Sequence, residues 1–166
     1  MTSSRIHTTL PGISLRRAER PDAALVLDFI HKLAAYEKLS HEVQATLGDI
    51  EDALFGARPF AEVVIAELEA APVGFILWFP NYSTFVGKPG IHIEDLFVLP
   101  HARGCGIGKC LLAWAARVAQ ERGWGRVEWS VLDWNEPALR FYRSLGAVGL
   151  KEWIPHRVTG DALLQS

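Results

Sequence analysis

Residues 102–112 read ARGCGIGKCLL and carry three glycines at alternate positions, Gly104, Gly106 and Gly108. The run lies between an apolar strand-like stretch, IHIEDLFVLP (91–100), and an apolar helix-like one, KCLLAWAARVA (109–119). Glycine has the most backbone freedom to lose on folding, so it weakens strands and helices alike. Three of them at a strand-to-helix junction therefore need a reason in backbone geometry. A helix N-terminus presents several unbonded N–H groups and about half a positive charge. Glycines just before it let an anion reach those groups unobstructed, so the run predicts a phosphate cradle, with Arg103 able to add a charged fork. The competing reading is a tight turn that is merely rich in glycine.

Two common phosphate loops do not fit. The P-loop requires four residues between its first glycine and its Gly-Lys, followed by Ser or Thr. Here three residues separate Gly104 from Gly108, and Cys110 follows Lys109. The dinucleotide fingerprint G-x-G-x-x-G fails as well, because Lys109 or Leu111 stands where its third glycine is needed.

Outward from the glycines the chain alternates strand and helix signals. Upstream, ISLRRAE (13–19) alternates as a strand, and RPDAALVLDFIHKLAAYEKL (20–39) places Val26, Leu27, Ile30, Leu33 and Ala34 at helical spacing behind an Asp22 N-cap. Thr46 opens a short helix that Gly56 closes, and FAEVVIAELE (60–69) with PVGFILWFPNYSTF (72–85) suits a hairpin. GIHIEDLFVLP forms a third strand beside them, and the glycine run leads into a helix from about Gly108 to Arg122. Downstream come a strand in GRVEWSVLD (125–133) and a helix in NEPALRFYRSLGA (135–147), with Asn135 as N-cap, Pro137 in its first turn and Gly146 as C-cap. VGLKEW (148–153) and PHRVTGDALL (155–164) read as closing strands. The order β-α-α-β-β-β-α-β-α-β-β predicts a mixed α/β domain around one sheet. Residues 1–11 read as a flexible tail and 12–166 as a single domain.

Composition narrows the class. The chain has 166 residues, 49% apolar and 22% charged, as in ordinary soluble domains. A formal charge of −2 gives no electrostatic reason to bind nucleic acid. The longest apolar stretch, VGFILWF (73–79), is far short of the roughly 20 residues that span a membrane, so no membrane partner is expected. Its two cysteines, Cys105 and Cys110, support neither a zinc site nor a disulfide framework and are read as reduced thiols in a cytoplasmic protein. Cys105 falls close to the expected helix N-terminus, a position that lowers a thiol pKa. No metal is expected.

The pattern that does match is R-x-x-G-x-G, from Arg103 through Gly106 to Gly108. Between a strand and a helix, it resembles the acetyl-coenzyme A pyrophosphate loop of the GNAT superfamily of N-acetyltransferases. IEDLFVLPHARGCGIGKCLL (93–112) followed by DWNEPALRFYRSLGA (133–147) is similar to the spermidine/spermine N-acetyltransferase branch, which includes the thialysine acetyltransferases. LAAYEKL (33–39) and RVTGDALL (157–164) also fit that branch. The resemblance is specific from Gly90 to Ala147 and looser elsewhere. It implies a GNAT-like, mostly antiparallel sheet flanked by helices, acetyl-coenzyme A as cosubstrate, a small cationic amine as acceptor, and a homodimer. The backbone of Leu96, Phe97 and Val98 would pair with the pantetheine arm. Arg103, Gly104, Cys105, Gly106, Ile107, Gly108 and Lys109 would wrap the pyrophosphate, and Asn135 would help to hold the coenzyme.

The reaction itself constrains the rest. A free alkylammonium with pKa near 10.4 is neutral in only about one molecule in 2,500 at pH 7, so an amine acceptor needs carboxylates to recruit it and a base to take its proton. Glu94 and Asp95 are adjacent acids inside an otherwise apolar strand, where burial without a partner is costly. An exposed strand end is the competing reading. Alternation puts the two on opposite faces unless a bulge intervenes. The resemblance implies such a bulge and has Glu94 face the amine. It also implies that Tyr142 stands beside the coenzyme sulfur as general acid, where spacing alone allows a boundary tyrosine equally. Tyr36 and Glu37 match the YE pair that lines the branch's amine pocket; without the resemblance they read as a solvated helix end. Trp78, Tyr82 and Phe85 could hold a cation against an aromatic face, although core packing explains them as well. His92 receives no role, and Glu152 aligns only ambiguously with a substrate-facing glutamate of the branch. Amine acetylation by direct attack, with Glu94 and Tyr142 as catalytic residues, is the expected activity. A protein or peptide acetyltransferase and a non-catalytic acyl-coenzyme A-binding module are the alternatives.

Overall fold

In the computed structural model, which describes residues 5–164, six strands form one sheet in the order β1-β2-β3-β4-β5-β6. They are β1 (Ile6–His7), β2 (Ile13–Arg17), β3 (Glu62–Leu68), β4 (Ala71–Ser83), β5 (Lys88–Val98) and β6 (Val127–Trp129). Neighbours from β1 to β5 are antiparallel, and β6 joins β5 in parallel over Ile91–Ile93 only. Four helices complete the fold: α1 (Ala23–Tyr36), α2 (Leu47–Phe55), α3 (Ile107–Glu121) and α4 (Glu136–Ser144). The mixed sheet and its helices have the expected fold class.

The apolar pattern places the core. β3 reads EVVIAEL and buries Val63, Val64, Ile65 and Ala66 in succession, as a central strand covered on both faces does. On one face α1 and α2 lay Val26, Phe29, Ile50 and Leu54 against Val63, Ile65, Phe75, Leu77 and Phe97. The Phe29 and Phe75 rings stack with centroids 5.4 Å apart. On the other face α3 packs on β3, β4 and β5 with Ile107, Leu111, Ala115 and Val118 buried.

Several local expectations change. The described residues group into two compact units, one through Ser130 and one from Val131. The expected tail (1–11) contains β1, because Ile6 and His7 pair with Leu15 and Ser14, and Arg5 bonds Glu67 at 2.8 Å; residues 1–4 lie outside the described residues. Asp22 precedes α1 but its side chain does not cap it. That carboxylate accepts instead from the Glu19 N–H at 2.8 Å and pairs with Arg16.

The two closing strands are not formed among the described residues. Residues 147–150 are irregular, Lys151 and Glu152 form a turn, and Gly160–Leu164 is a 3-10 turn. Val148, Leu150, Trp153, Ile154 and Val158 are exposed, so no neighbouring strand covers them. Pro155 also removes a donor that a ladder would need. The strand expected in 125–133 is likewise reduced to Val127–Trp129.

Candidate active site

The cradle is built as its glycines require. Gly104 and Gly106 have φ of +80° and +85°, a left-handed conformation that a side chain resists. Gly106 is the N-cap of α3, and the Cys110 N–H is the first to close onto the helix, at 3.0 Å from the Gly106 carbonyl. The N–H groups of Ile107, Gly108 and Lys109 thus have no helical acceptor and remain for a ligand. A Cβ on Gly104 would meet nothing within 4 Å, so the approach to the loop is open. Cys105 is exposed in this loop with its Sγ 3.8 Å from the Arg103 carbonyl, Ile107 is buried under the helix, and Lys109 is exposed in the first turn. These groups fit the diphosphate of a coenzyme.

Arg103 directs its guanidinium elsewhere. Its Nε donates to the Val98 carbonyl at 2.8 Å, and its Cζ lies 4.8 Å from the centre of the Tyr36 ring and 5.4 Å from that of Phe97. The cradle, the end of β5 and the end of α1 therefore meet at one arginine. α1 stops there for a definable reason. The Leu39 N–H bonds the Ala34 carbonyl and the Lys38 N–H bonds that of Ala35, a Schellman closure with Lys38 in the left-handed position (φ +62°). This closure fixes Tyr36 and Glu37 at the mouth of the helix.

β5 supplies the acids. Its ladder with β4 runs Phe75↔Phe97, Ile76↔Leu96, Leu77↔Asp95 and then Trp78↔Ile93, so Glu94 is skipped in that ladder and forms a bulge. Leu77 faces the α1–α2 core, and Asp95 faces the same way. His92 lies on that side too, its ring 5.0 Å from Phe79, and its Nε2 is 3.6 Å from a Glu94 oxygen. The bulge thereby brings Glu94 and Asp95 to one side of the sheet. Glu94 stays 57% exposed. Asp95 is more enclosed, and its carboxyl is pushed up to about 7 by burial first, then by the charges of Glu94 and Glu37. Burial also raises the Glu37 carboxyl. Three carboxylates from two elements thus share one field, with no cation bonded to Asp95 among the described residues.

Beyond Ile93 the edge of β5 that faces β6 has no ladder partner among the described residues, because the parallel pairing ends there. Leu96, Phe97 and Val98 lie along this stretch of β5; the Val98 carbonyl there already accepts from Arg103, and Phe97 buries its ring in the core. An extended arm could add to the edge by main-chain hydrogen bonds.

In the second unit, Asn135 is the α4 N-cap; its Oδ1 accepts from the Ala138 N–H at 3.4 Å. Tyr142 is half-buried on α4 with its ring 5.4 Å from that of Phe141. Of the aromatic candidates for cation binding, Trp78 is wholly buried and Tyr82 and Phe85 are exposed. Glu152 is exposed in the turn after α4. Sequence reasoning gave His92 no part, and its contact with Glu94 needed the bulge to be seen. The coupling of Glu37 to Asp95 likewise follows from the packing of α1 on β5, which no local motif announces. Among the described residues no group of three or more His, Cys, Asp or Glu side chains is placed to hold a metal ion.

The sequence profile described as the Acetyltransferase (GNAT) family matches residues 28–147. L-ornithine N5-acetyltransferase of Arabidopsis thaliana is 34% identical, over 90% of this chain and 85% of that protein. Thialysine N-epsilon-acetyltransferase of Mus musculus is 35% identical, over 90% of this chain and 94% of its own. Among solved structures, an integron cassette protein from the mobile metagenome of V. cholerae superposes with a TM-score of 0.76 at 26% identity, over 93% of this chain and 96% of that one. An aminoglycoside acetyltransferase from an uncultured soil metagenomic sample shares the fold, with a TM-score of 0.75 at 22% identity over 89% and 96% of the two chains.

Proposed function

The chain belongs to the acetyltransferase (GNAT) family and is an acetyl-coenzyme A-dependent N-acetyltransferase of amines; from that premise we propose that its acceptor is the primary amine of a small cation. A diamine, a polyamine or a basic amino acid of the ornithine or thialysine type is the substrate class. The observation that carries this reading is the convergence of Glu37, Glu94 and Asp95 beside the unpaired edge of β5. Three acids attract an alkylammonium, and their mutual repulsion is relieved when it binds. Tyr36 adds a ring at the same helix end, its face already used by a cation, Arg103.

The coenzyme supplies the acetyl thioester. The chain supplies the N–H groups of Ile107, Gly108 and Lys109 for its diphosphate and the edge of Leu96, Phe97 and Val98 for its arm. We assign Asn135 to coenzyme binding and Tyr142 to protonation of the departing sulfur, both on the family resemblance of 133–147. Tyr142→Phe should then lower kcat by about 10²-fold, the lower end for general acid help, because a thiolate leaves tolerably unaided. We also propose a homodimer that works in the cytoplasm. The exposed apolar side chains of Val148, Trp153 and Ile154 support the dimer by leaving surface to be covered, and light scattering on the purified protein reads its mass.

The deciding experiment is thiol release from acetyl-coenzyme A with ornithine, lysine, thialysine, putrescine, spermidine and lysine-containing peptides as acceptors. Turnover of one or more free amines is expected, with peptides poor. Turnover confined to peptides would overturn the small-cation reading.

A further inference from the structure

We propose that Asp95, and not Glu94, takes the proton that the acceptor ammonium must lose, while Glu94 holds the charge of the incoming cation at the solvent side. The assignment rests on the amine reading above and deepens it. Its basis is the bulge, which gives two consecutive acids the same side of the sheet but different surroundings. Glu94 is the looped-out residue, more than half exposed and within reach of His92. Asp95 is back in register opposite Leu77, less exposed than Glu94 and within the field of Glu37 at the end of α1. It immediately precedes Leu96, the first residue of the edge that would carry the coenzyme arm. Of the two, Asp95 is the one held at a fixed height beside that edge.

The charged groups around it agree. Glu94 on its own strand and Glu37 from α1 both face it with negative charge. Arg103, from the loop before α3, is committed to the Val98 carbonyl and the rings of Tyr36 and Phe97. The Nε2 of His92 lies 3.6 Å from a Glu94 oxygen, and Glu128 on β6 is paired with Arg126 and Asn81. β4 offers only Leu77 opposite. With no hydrogen-bond donor on its carboxylate among the described residues, Asp95 is a stronger base than a solvated carboxylate. An ordinary aspartate near 3.8 lies far below an ammonium near 10.4, and a group at about 7 closes roughly half of that gap.

The step balances without another reactant. The ammonium gives one proton to the Asp95 carboxylate, and the neutral nitrogen uses its lone pair to form the C–N bond at the thioester carbonyl carbon. The C–S bond breaks with its electron pair going to sulfur, and the second proton shed by nitrogen ends on that sulfur as the free thiol. Asp95 then returns its proton to solvent.

The test is the pH dependence of kcat and kcat/KM for the best amine in the unaltered protein, Asp95→Asn, Asp95→Glu and Glu94→Gln. Melting and acetyl-coenzyme A titration first establish that each variant folds and binds; Asp95→Ser replaces the asparagine variant if that one does not. The unaltered protein should show kcat/KM rising through pH 7. Asp95→Asn should lose that limb and about 10²-fold in kcat, and Asp95→Glu should recover part of both. Glu94→Gln should keep the limb and raise KM for the amine several-fold. Asp95→Asn with kcat within about threefold and the limb intact, or loss of the limb in Glu94→Gln alone, overturns the assignment while the amine activity stands. No turnover of any amine by the unaltered protein would defeat the amine reading and this assignment together.

Discussion

The guanidinium of Arg103 lies 4.8 Å from the centre of the Tyr36 ring, joining the loop before α3 to the last residue of α1. These residues are far apart in sequence, and the contact sits where the two proposed ligands would meet. A cation over an exposed aromatic face contributes about 0.5–1 kcal/mol. A double-mutant cycle with Arg103→Ala and Tyr36→Leu, read by urea unfolding, should give a coupling of that size. Additive single effects would show that the two groups are merely adjacent.

Gly106 tests the cradle. Its φ of +85° strains any side chain, and a Cβ there would stand 3.0 Å from Leu10 Cδ1. Gly106→Val should cost about 1–2 kcal/mol of stability and weaken acetyl-coenzyme A at least tenfold in calorimetric titration at a temperature where the variant is folded. Unchanged affinity in the folded variant would remove the cradle from the coenzyme site.

The turn between β3 and β4 is a site of avoidable strain. Leu68 pairs with Ala71, leaving Glu69 and Ala70 as a two-residue turn with φ of +49° and +67°. Such turns favour glycine because a Cβ resists the left-handed region. Ala70→Gly should therefore raise the unfolding free energy by about 1 kcal/mol, seen as a higher melting temperature. A lower one would mean that the chain entropy of glycine outweighs the relief.

The Glu67 network governs acid stability. Glu67 is 2% exposed and is bonded by Arg16, Arg5 and Ser14, while Arg16 also grips Asp22 through two nitrogens. Both carboxyls lie below their ordinary values of 4.5 and 3.8: burial pushes each upward, but bonds to Arg16 and other donors outweigh it. Stability from these pairs is complete above those values and is lost as pH falls through the depressed ones. Arg16→Met should cost about 3 kcal/mol near neutrality, a gap that narrows on acidification because the unpaired Glu67 protonates. Parallel melting curves from pH 7 to 3 would contradict this.

Asp95 has the opposite sign. Its folded pKa of about 7 exceeds the ordinary 3.8, so its contribution is best below 3.8 and worsens until pH passes 7. Asp95→Asn should be the more stable protein at pH 8, by up to about 4 kcal/mol, and should lose that advantage near pH 4. Equal melting temperatures at pH 8 would place Asp95 in a better-solvated setting.

The local features were the legible ones. Glycines 104 and 106 declare a left-handed loop, Thr46 closes a capping box with Asp49, and Asn135 caps α4, each because a backbone group and a nearby side chain settle the matter within a few residues. The Glu69-Ala70 turn hid because neither residue advertises positive φ. The Arg16–Glu67 and Glu37–Asp95 relationships hid because they join segments whose pairing only the folded sheet defines. The closing strands failed for a related reason: an apolar run expresses a need for a partner and does not identify one.

The bulge also changes what an alternating pattern means. Ile91, Ile93, Asp95 and Phe97 are all odd-numbered, and a flat strand would aim all four into the layer beneath α3. One looped-out residue switches the parity, so the isoleucines go to one side of the sheet and the aspartate and phenylalanine to the other. Deletion of Glu94 would remove the bulge and still leave Ile93 and Asp95 on opposite sides, whereas drawing Glu94 into the ladder would carry Asp95 into the layer filled by Ile107 and Leu111. At this point in the chain, whether one residue stays outside the ladder, and not the order of apolar and acidic side chains, decides which layer Asp95 and Phe97 enter.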